Sequence, residues 1–292
     1  MHYPWTPRLT DDGSFTFFSD EFGETFHSQE GAKEEAFLKF AAATGLSEKA
    51  QRGSIRLLDI CYGLGYNTAA AIETVWATSP HCHVELIGLE LDAAVPQAAI
   101  APPLIESWSS ATQDILKAIA HQHFCQLPQL SARLLIGDAR QTIQQVIAES
   151  FQADAILFDP FSPRRCPQLW TVEFFHCVAQ CLASDGTLAT YSRSASVRAA
   201  MIEAGLSIGT IPVPSPSRSH DWSHGTIGSF KAQTLMPLSI MEQEHLRTRA
   251  AVPYRDPCLT DTAEVILSRH HREQQESILE STSSWRRRWG IR

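Results

Sequence analysis

Leu58-Asp59-Ile60-Cys61-Tyr62-Gly63-Leu64-Gly65-Tyr66-Asn67 ends a short apolar run that begins at Ile55 and opens an Ala-rich stretch from Thr68 to Trp76. A compact apolar run suits a buried parallel strand. An acid and two glycines between strand and helix make a turn whose backbone can approach a ligand, with the helix's free N–H groups behind it. Working outward, the alternation repeats: Val84–Glu90, Ala132–Asp138, Ala155–Asp159 and Gly186–Ser192 read as further strands. Helical stretches separate them, over about 92–124 with an interruption at Pro102-Pro103, then 141–150, 172–183 and 196–204. Two last β-like runs, Leu206–Ile211 and Gly225–Lys231, are joined by a Pro/Ser-rich segment without a helix, which predicts a closing antiparallel hairpin.

Such alternation calls for a parallel sheet covered on both faces. Seven strands with an unhelical final pair predict an α/β, Rossmann-like fold in its seven-stranded methyltransferase variant, with additions at both ends. The organisation expected is an N-terminal extension over 1–50, a main domain over 51–232 and a C-terminal extension over 233–292. The first holds an aromatic strand candidate at Phe15–Phe18 and a helix near 31–43; the last holds a helix near 261–280 and the basic-aromatic end Trp285-Arg286-Arg287-Arg288-Trp289.

With 43% hydrophobic and 19% charged residues among 292, the composition is that of an ordinary globular chain. No apolar run approaches the roughly 20 residues that span a bilayer, so no membrane partner is expected. The N-terminus lacks the basic and apolar segments of a signal peptide. Seven scattered cysteines without a C-x-x-C suit reduced thiols and a cytoplasmic setting. His81-Cys82-His83 crowds its donors on adjacent residues and has no second ligand cluster, so no metal is expected. Of the net charge of −8, the first 150 residues carry nine basic against eighteen acidic groups; the remainder carries fifteen against fourteen, nearly all of the basic ones Arg. Arginine's planar fork suits phosphate, which leaves room for a nucleic-acid-facing side on the C-terminal half.

Three consecutive strands end in Asp59, Glu90 and Asp138, a row of acceptors along the edge where such sheets bind ligands. Glu90 follows Gly65 at a distance suited to a ribose diol, and Asp138-Ala139 is placed to meet an adenine amino group. This pattern serves NAD and S-adenosylmethionine equally well. The fourth strand discriminates between them: Phe158-Asp159-Pro160-Phe161-Ser162-Pro163 resembles the acid-Pro-Pro-aromatic motif of amino-methyltransferases. Asp159 and nearby backbone carbonyls can accept bonds from an amine, and Phe161 offers a flat apolar face to a planar base.

The longer stretch from Asp159 to Thr171, with Arg164, Arg165 and Trp170 in it, resembles the signature of the methyltransferase part of the tRNA 5-methylaminomethyl-2-thiouridine biosynthesis family. Phe26-His27-Ser28, Gly31–Glu35, the Gly63–Asn67 loop and Thr190-Tyr191-Ser192 with Val197-Arg198 are similar to the same family, so the resemblance spans roughly 15–230. It implies methyl transfer from S-adenosylmethionine to the aminomethyl nitrogen of the tRNA wobble uridine. Asp159 would serve the amine. Asp59, Gly63, Gly65, Tyr66, Asn67, Glu90, Asp138 and Ala139 would line the cofactor site, and Phe161, Pro163, Arg164, Arg165, Trp170 and Tyr191 the substrate site. Arg193, Arg198 and the 285–292 tail are further candidates for RNA contact. Cys166 stands where the family usually has Asn. The bifunctional form's flavin oxidase half has no counterpart after residue 232, so the stand-alone form is expected. The alternatives are a methyltransferase for a small amine, an NAD-dependent oxidoreductase and a non-catalytic RNA-binding module.

Overall fold

A computed structural model describes residues 5–212 and 222–291. Its centre is one sheet of eight strands: β1 Ser54–Ile60, β2 His83–Glu90, β3 Phe124–Leu127, β4 Leu130–Ile136, β5 Ala153–Phe158, β6 Leu182–Thr190, β7 Ser207–Ile211 and β8 Gly225–Ser229, in the order β7-β8-β6-β5-β1-β2-β4-β3. The five strands from β6 through β5, β1 and β2 to β4 run parallel. β8 pairs antiparallel with both β6 and β7, as the expected closing hairpin requires. Most of the Pro/Ser-rich connection between β7 and β8 lies outside the described residues.

Residues along the central strands point alternately to opposite faces. Leu57, Leu86, Ala155 and Leu157 enter one core, with the helices Tyr66–Thr78 and Ser110–Gln122. Leu58, Ile87, Ile156 and Phe158 enter the other, with Ala139–Ala148, Val172–Gln180 and Ala195–Glu203. Side chains are buried on both faces, which is why these strands read as short apolar runs.

The eighth strand is a departure from the seven expected. The sequence places Phe124 at the end of a long helix; instead His123 adopts a left-handed conformation (φ 62°), ends Ser110–Gln122 and lets the chain turn back as β3 beside β4. Only Cys125 of β3 is buried, so this edge strand carries almost no apolar signal. The long helical stretch itself is divided at Pro102-Pro103 into Ala94–Ala99 and Ser110–Gln122, with a single 3₁₀ turn between them.

At the N-terminus the aromatic segment splits: Phe15–Thr16 pairs with Arg8–Leu9, and Phe18–Ser19 pairs with Glu24–Thr25. The following helix, Ala32–Glu35, widens into a π-helical run, Ala36–Ala42, whose Phe40 is fully buried. The C-terminal residues fold over the second core. Trp285 is buried within the helix Thr282–Trp289, donates from its indole to the Met241 carbonyl (3.2 Å) and stacks on His245 at 4.2 Å.

Two basic candidates change role. Arg198 is not at a surface: it is fully buried, paired with Glu242 at 2.9 Å and bonded to Thr226 and Ser223. It lies on a helix face turned to the sheet. In the tail, Arg288 is held by Glu244 and Glu280, whereas Arg286 and Arg287 are exposed. Removing one member of a buried ion pair strands the other. Glu242→Ala should therefore cost about 3–5 kcal/mol of stability in a urea titration. Replacing both partners, as Arg198→Met with Glu242→Leu, should recover most of that loss.

Candidate active site

β1 and β5 are neighbours, but the helix after β1 packs on one face of the sheet and the helix after β5 on the other. Their C-terminal ends therefore bound a crevice, the usual ligand position in an open α/β sheet. The turn after β1 is tightly wound: Cys61, Gly63 and Gly65 all have positive φ, at 67°, 55° and 76°. A Cβ on Gly65 would also fall 2.8 Å from the Tyr62 hydroxyl, so glycine is required there by sterics and backbone alike.

Glu90, at the end of β2, ties this turn down. One carboxylate oxygen accepts the Gly63 N–H at 2.7 Å and the other accepts the Asp92 N–H at 2.9 Å. Each oxygen keeps a second lone pair, and Glu90 lines a cleft with about 750 Å³ of empty space. Burial raises its pKa despite the two backbone bonds. Gly63, Leu91 and Val95 form one side of the cleft, with Cys166 and Leu169 on another. Burial pushes the Cys166 thiol up to about 12, so this wall carries no charge at that position.

Asp159 follows β5 and lines both this cleft and a second, more open chamber of about 1040 Å³. Phe26 and Phe161 also line both. One Asp159 oxygen accepts from the Asn67 side-chain amide at 2.8 Å. Its pKa is raised well above the ordinary carboxylate value, by burial first and then by the nearby charge of Glu35, with the Asn67 bond opposing. Glu35 is itself held below its ordinary value against burial, because Lys39 lies 2.6 Å away. The second chamber thus brings Asp159, Glu35, Lys39 and Tyr191 together beside the face of Phe161.

The neighbouring carbonyls, expected to share in amine binding, already have donors: Pro160 O accepts from the Tyr191 hydroxyl at 2.9 Å, and Phe161 O from the Trp170 indole at 2.8 Å. Trp170 is fully buried and lines neither chamber; it supports the loop from beneath. Pro163 is also outside both linings. Arg164 lines a third cavity, and the Arg165 guanidinium lies against Gly23. Tyr66 packs between His27 and Trp108 in the core, away from the cleft. Asp138 caps the helix Ala139–Ala148 and pairs with Arg140 at 2.7 Å, which leaves Asp138 and Ala139 off the cleft lining.

Asp59 is fully buried beneath the glycine turn, bonded to the Thr68 hydroxyl at 2.6 Å, with a pKa pushed up to about 7 by burial. Its other oxygen and the Asn67 carbonyl oxygen are buried acceptors without partners among the described residues.

Several contributors went unassigned in the sequence. The N-terminal hairpin roofs the site: Phe22 stacks on Phe161 at 4.3 Å, Phe26 meets the same ring edge-on, and Glu24 accepts from the Ser162 N–H at 3.0 Å and its hydroxyl at 2.5 Å. Glu35 and Lys39 come from the π-helical region. Local signals were present, as an aromatic-rich segment and an i,i+4 acid–base pair, but neither indicates a long-range partner.

Residues 102–219 match the family model described as S-adenosyl-L-methionine-dependent methyltransferase. The crystal structure of MNMC2 from Aquifex aeolicus superposes with a TM-score of 0.80 at 30% identity, over 94% of this chain and 87% of that one. The tRNA 5-methylaminomethyl-2-thiouridine biosynthesis bifunctional protein MnmC of Azoarcus sp. (strain BH72) is 31% identical over 72% of this chain. This chain spans about a third (34%) of that bifunctional relative's length. An uncharacterized protein of Methanocaldococcus jannaschii is 25% identical over 93% of this chain and 72% of its own length.

The cleft fits S-adenosyl-L-methionine. Glu90 retains acceptor capacity for a ribose diol, and Leu91, Val95 and Leu169 offer apolar contact to a base, whereas the unpartnered Asp59 and Asn67 oxygens lie buried behind the glycine turn, outside the cleft lining. Losing a charge-assisted hydrogen bond costs about 1.5–3 kcal/mol. Glu90→Ala should accordingly weaken S-adenosyl-L-methionine binding about tenfold or more in calorimetry; unchanged affinity would place the ribose acceptor elsewhere.

Proposed function

The chain belongs to the S-adenosyl-L-methionine-dependent methyltransferases of the MnmC type, and from that premise we propose that it methylates the aminomethyl nitrogen of 5-aminomethyl-(2-thio)uridine at the wobble position, residue 34, of tRNA. The observation that carries this reading is Asp159's position on the wall common to the cofactor cleft and the second chamber. A group bonded to this carboxylate from the second chamber meets the cofactor side across a single side chain.

The cofactor supplies a methyl group activated by sulfonium charge. The protein's task is to present a neutral amine with its lone pair aligned, and alignment alone is worth several kcal/mol, on the order of 7–11 in favourable cases. Asn67 holds one oxygen of Asp159, so the other is oriented for the substrate. Phe161, pinned by Phe22 and by the Trp170 bond to its carbonyl, offers its ring to the pyrimidine. Asp159 has a raised proton affinity and can take the proton that the ammonium must lose. Tyr191 braces the loop through Pro160, and Arg165 and Arg193 are exposed cations for RNA contact. Arg193 also lies over Trp222, at 5.7 Å from the ring centre.

The decisive test is methyl transfer from labelled S-adenosyl-L-methionine into tRNA from cells lacking the wobble methylation, with nucleoside mass analysis. A methylaminomethyl uridine is expected. No transfer with cofactor binding intact would redirect the assignment to a small amine. Asp159→Ala should reduce turnover at least a hundredfold, in the range general for a lost acid–base group, with cofactor affinity nearly unchanged.

Glu35 raises the proton affinity of Asp159, so neutralising it should have the opposite effect. Glu35→Gln also frees the positive charge of Lys39, which acts in the same direction. The acidic limb of the kcat/KM profile should therefore move to lower pH in this variant. An unmoved limb would assign that ionisation to the substrate amine.

A further inference from the structure

Beside the second chamber lies a third cavity, about 900 Å³ and open to solvent, between the loops that follow β5 and β6 and the helix Ala263–Glu276. Its lining includes Arg164, Ser194, Ser196, Tyr254, His271 and Gln274, and no Asp or Glu among the described residues. The amine chamber, by contrast, is lined by three acids, Glu24, Glu35 and Asp159, together with Arg8 and Lys39. Two cavities a few residues apart along one sheet edge thus differ in whether carboxylates line them.

Arg164 is exposed and makes no ion pair among the described residues, whereas two arginines on flanking segments are matched: Arg255 by Glu203 at 2.6 Å and Arg269 by Asp261 at 2.7 Å. Ser194 and Ser196 share one hydrogen bond at 2.8 Å, which leaves one of their two hydroxyl protons to be donated elsewhere. The floor is stiff, because Tyr254 is buried and stacked on His270 at 4.1 Å. Guanidinium, hydroxyl and amide N–H donors around a pocket without carboxylates suit a tetrahedral oxyanion.

The same two loops serve both cavities. Asp159, Pro160, Phe161 and Ser162 line the amine chamber and Arg164 the third cavity; Tyr191 lines the former, Ser194 and Ser196 the latter. A substrate larger than one nucleoside, seated at Asp159, would extend across this rim. We propose that the third cavity binds a backbone phosphate of the RNA strand flanking the nucleotide to be methylated. This rests on the RNA assignment made above. It gives the C-terminal extension a role in substrate binding, because His271 and Gln274 come from its longest helix.

The test is steady-state methylation of tRNA by Arg164→Ala and by Gln274→Glu, the latter placing a negative charge in the cavity with little change of size. Both should raise the KM for tRNA about tenfold, the scale of one lost charge-assisted contact, while kcat at saturating tRNA and S-adenosyl-L-methionine affinity stay within about twofold of wild type. For Arg164→Ala the slope of log Kd against log salt should also shrink by about one. Unchanged KM and slope in both variants, with wild-type tRNA methylation intact, would overturn the phosphate site and leave the RNA assignment standing. Saturable binding of inorganic phosphate that depends on Arg164, with tRNA KM unaffected, would make the cavity a free-anion site and likewise overturn it. Failure of the wild type to bind or methylate tRNA would remove both.

Discussion

The hydrogen bond from the Asn67 amide to Asp159, 2.8 Å long, joins the two halves of this site. Its partners are 92 residues apart in sequence and meet only because β1 and β5 pair side by side in parallel. Asn67 belongs to the helix that follows the glycine turn, and Asp159 to the loop that lines both chambers. A shift in the register of β1 against β5 would part the donor and the acceptor. The cores on both faces of the sheet, where each central strand buries residues on alternate sides, resist that shift.

Around this bond the protein assembles groups that share one feature, a bias toward the protonated form. Asp59, Glu90 and Asp159 all have raised proton affinities, with burial as the largest cause. Cys166 and Cys61 in the cleft wall are held as thiols for the same reason. Glu35 departs from this bias: Lys39, 2.6 Å away, holds its pKa below the ordinary value against burial. The hairpin roof packs over this space through Phe22 on Phe161 and Glu24 on the Ser162 backbone.

Much of this was legible along the chain, and the exceptions have a common cause. Strands buried on both faces show as apolar runs, so β1, β2, β4, β5 and β6 are visible in the sequence; β3, with one inward residue at a sheet edge, is not. Asp59, Glu90 and Asp159 are legible as strand-end acids, because position at the end of a strand is a local property. The misplacements are all matters of sidedness. Tyr66, one residue before Asn67, turns into the core; Trp170 supports its loop from below; and Arg198, on a helix with little difference between its faces, points inward to Glu242. Nothing in spacing distinguishes a side chain that lines a cleft from one that braces its wall.

The sequence by itself determined the doubly covered parallel sheet, the glycine turn after its first strand, the acids at its edge and the proline-stiffened loop after β5. These follow from hydrophobic periodicity and from the few residue types that tight turns tolerate, both of which act over short stretches of chain. Only the tertiary structure decided that an N-terminal hairpin roofs the cleft, that Asp159 is common to two chambers, that Glu35 and Lys39 face it, and that C-terminal helices pack over the second core. Those arrangements depend on contacts between distant segments. Their energy comes from burial and complementary hydrogen bonds, which depend on what meets across space and leave no periodic mark in either partner.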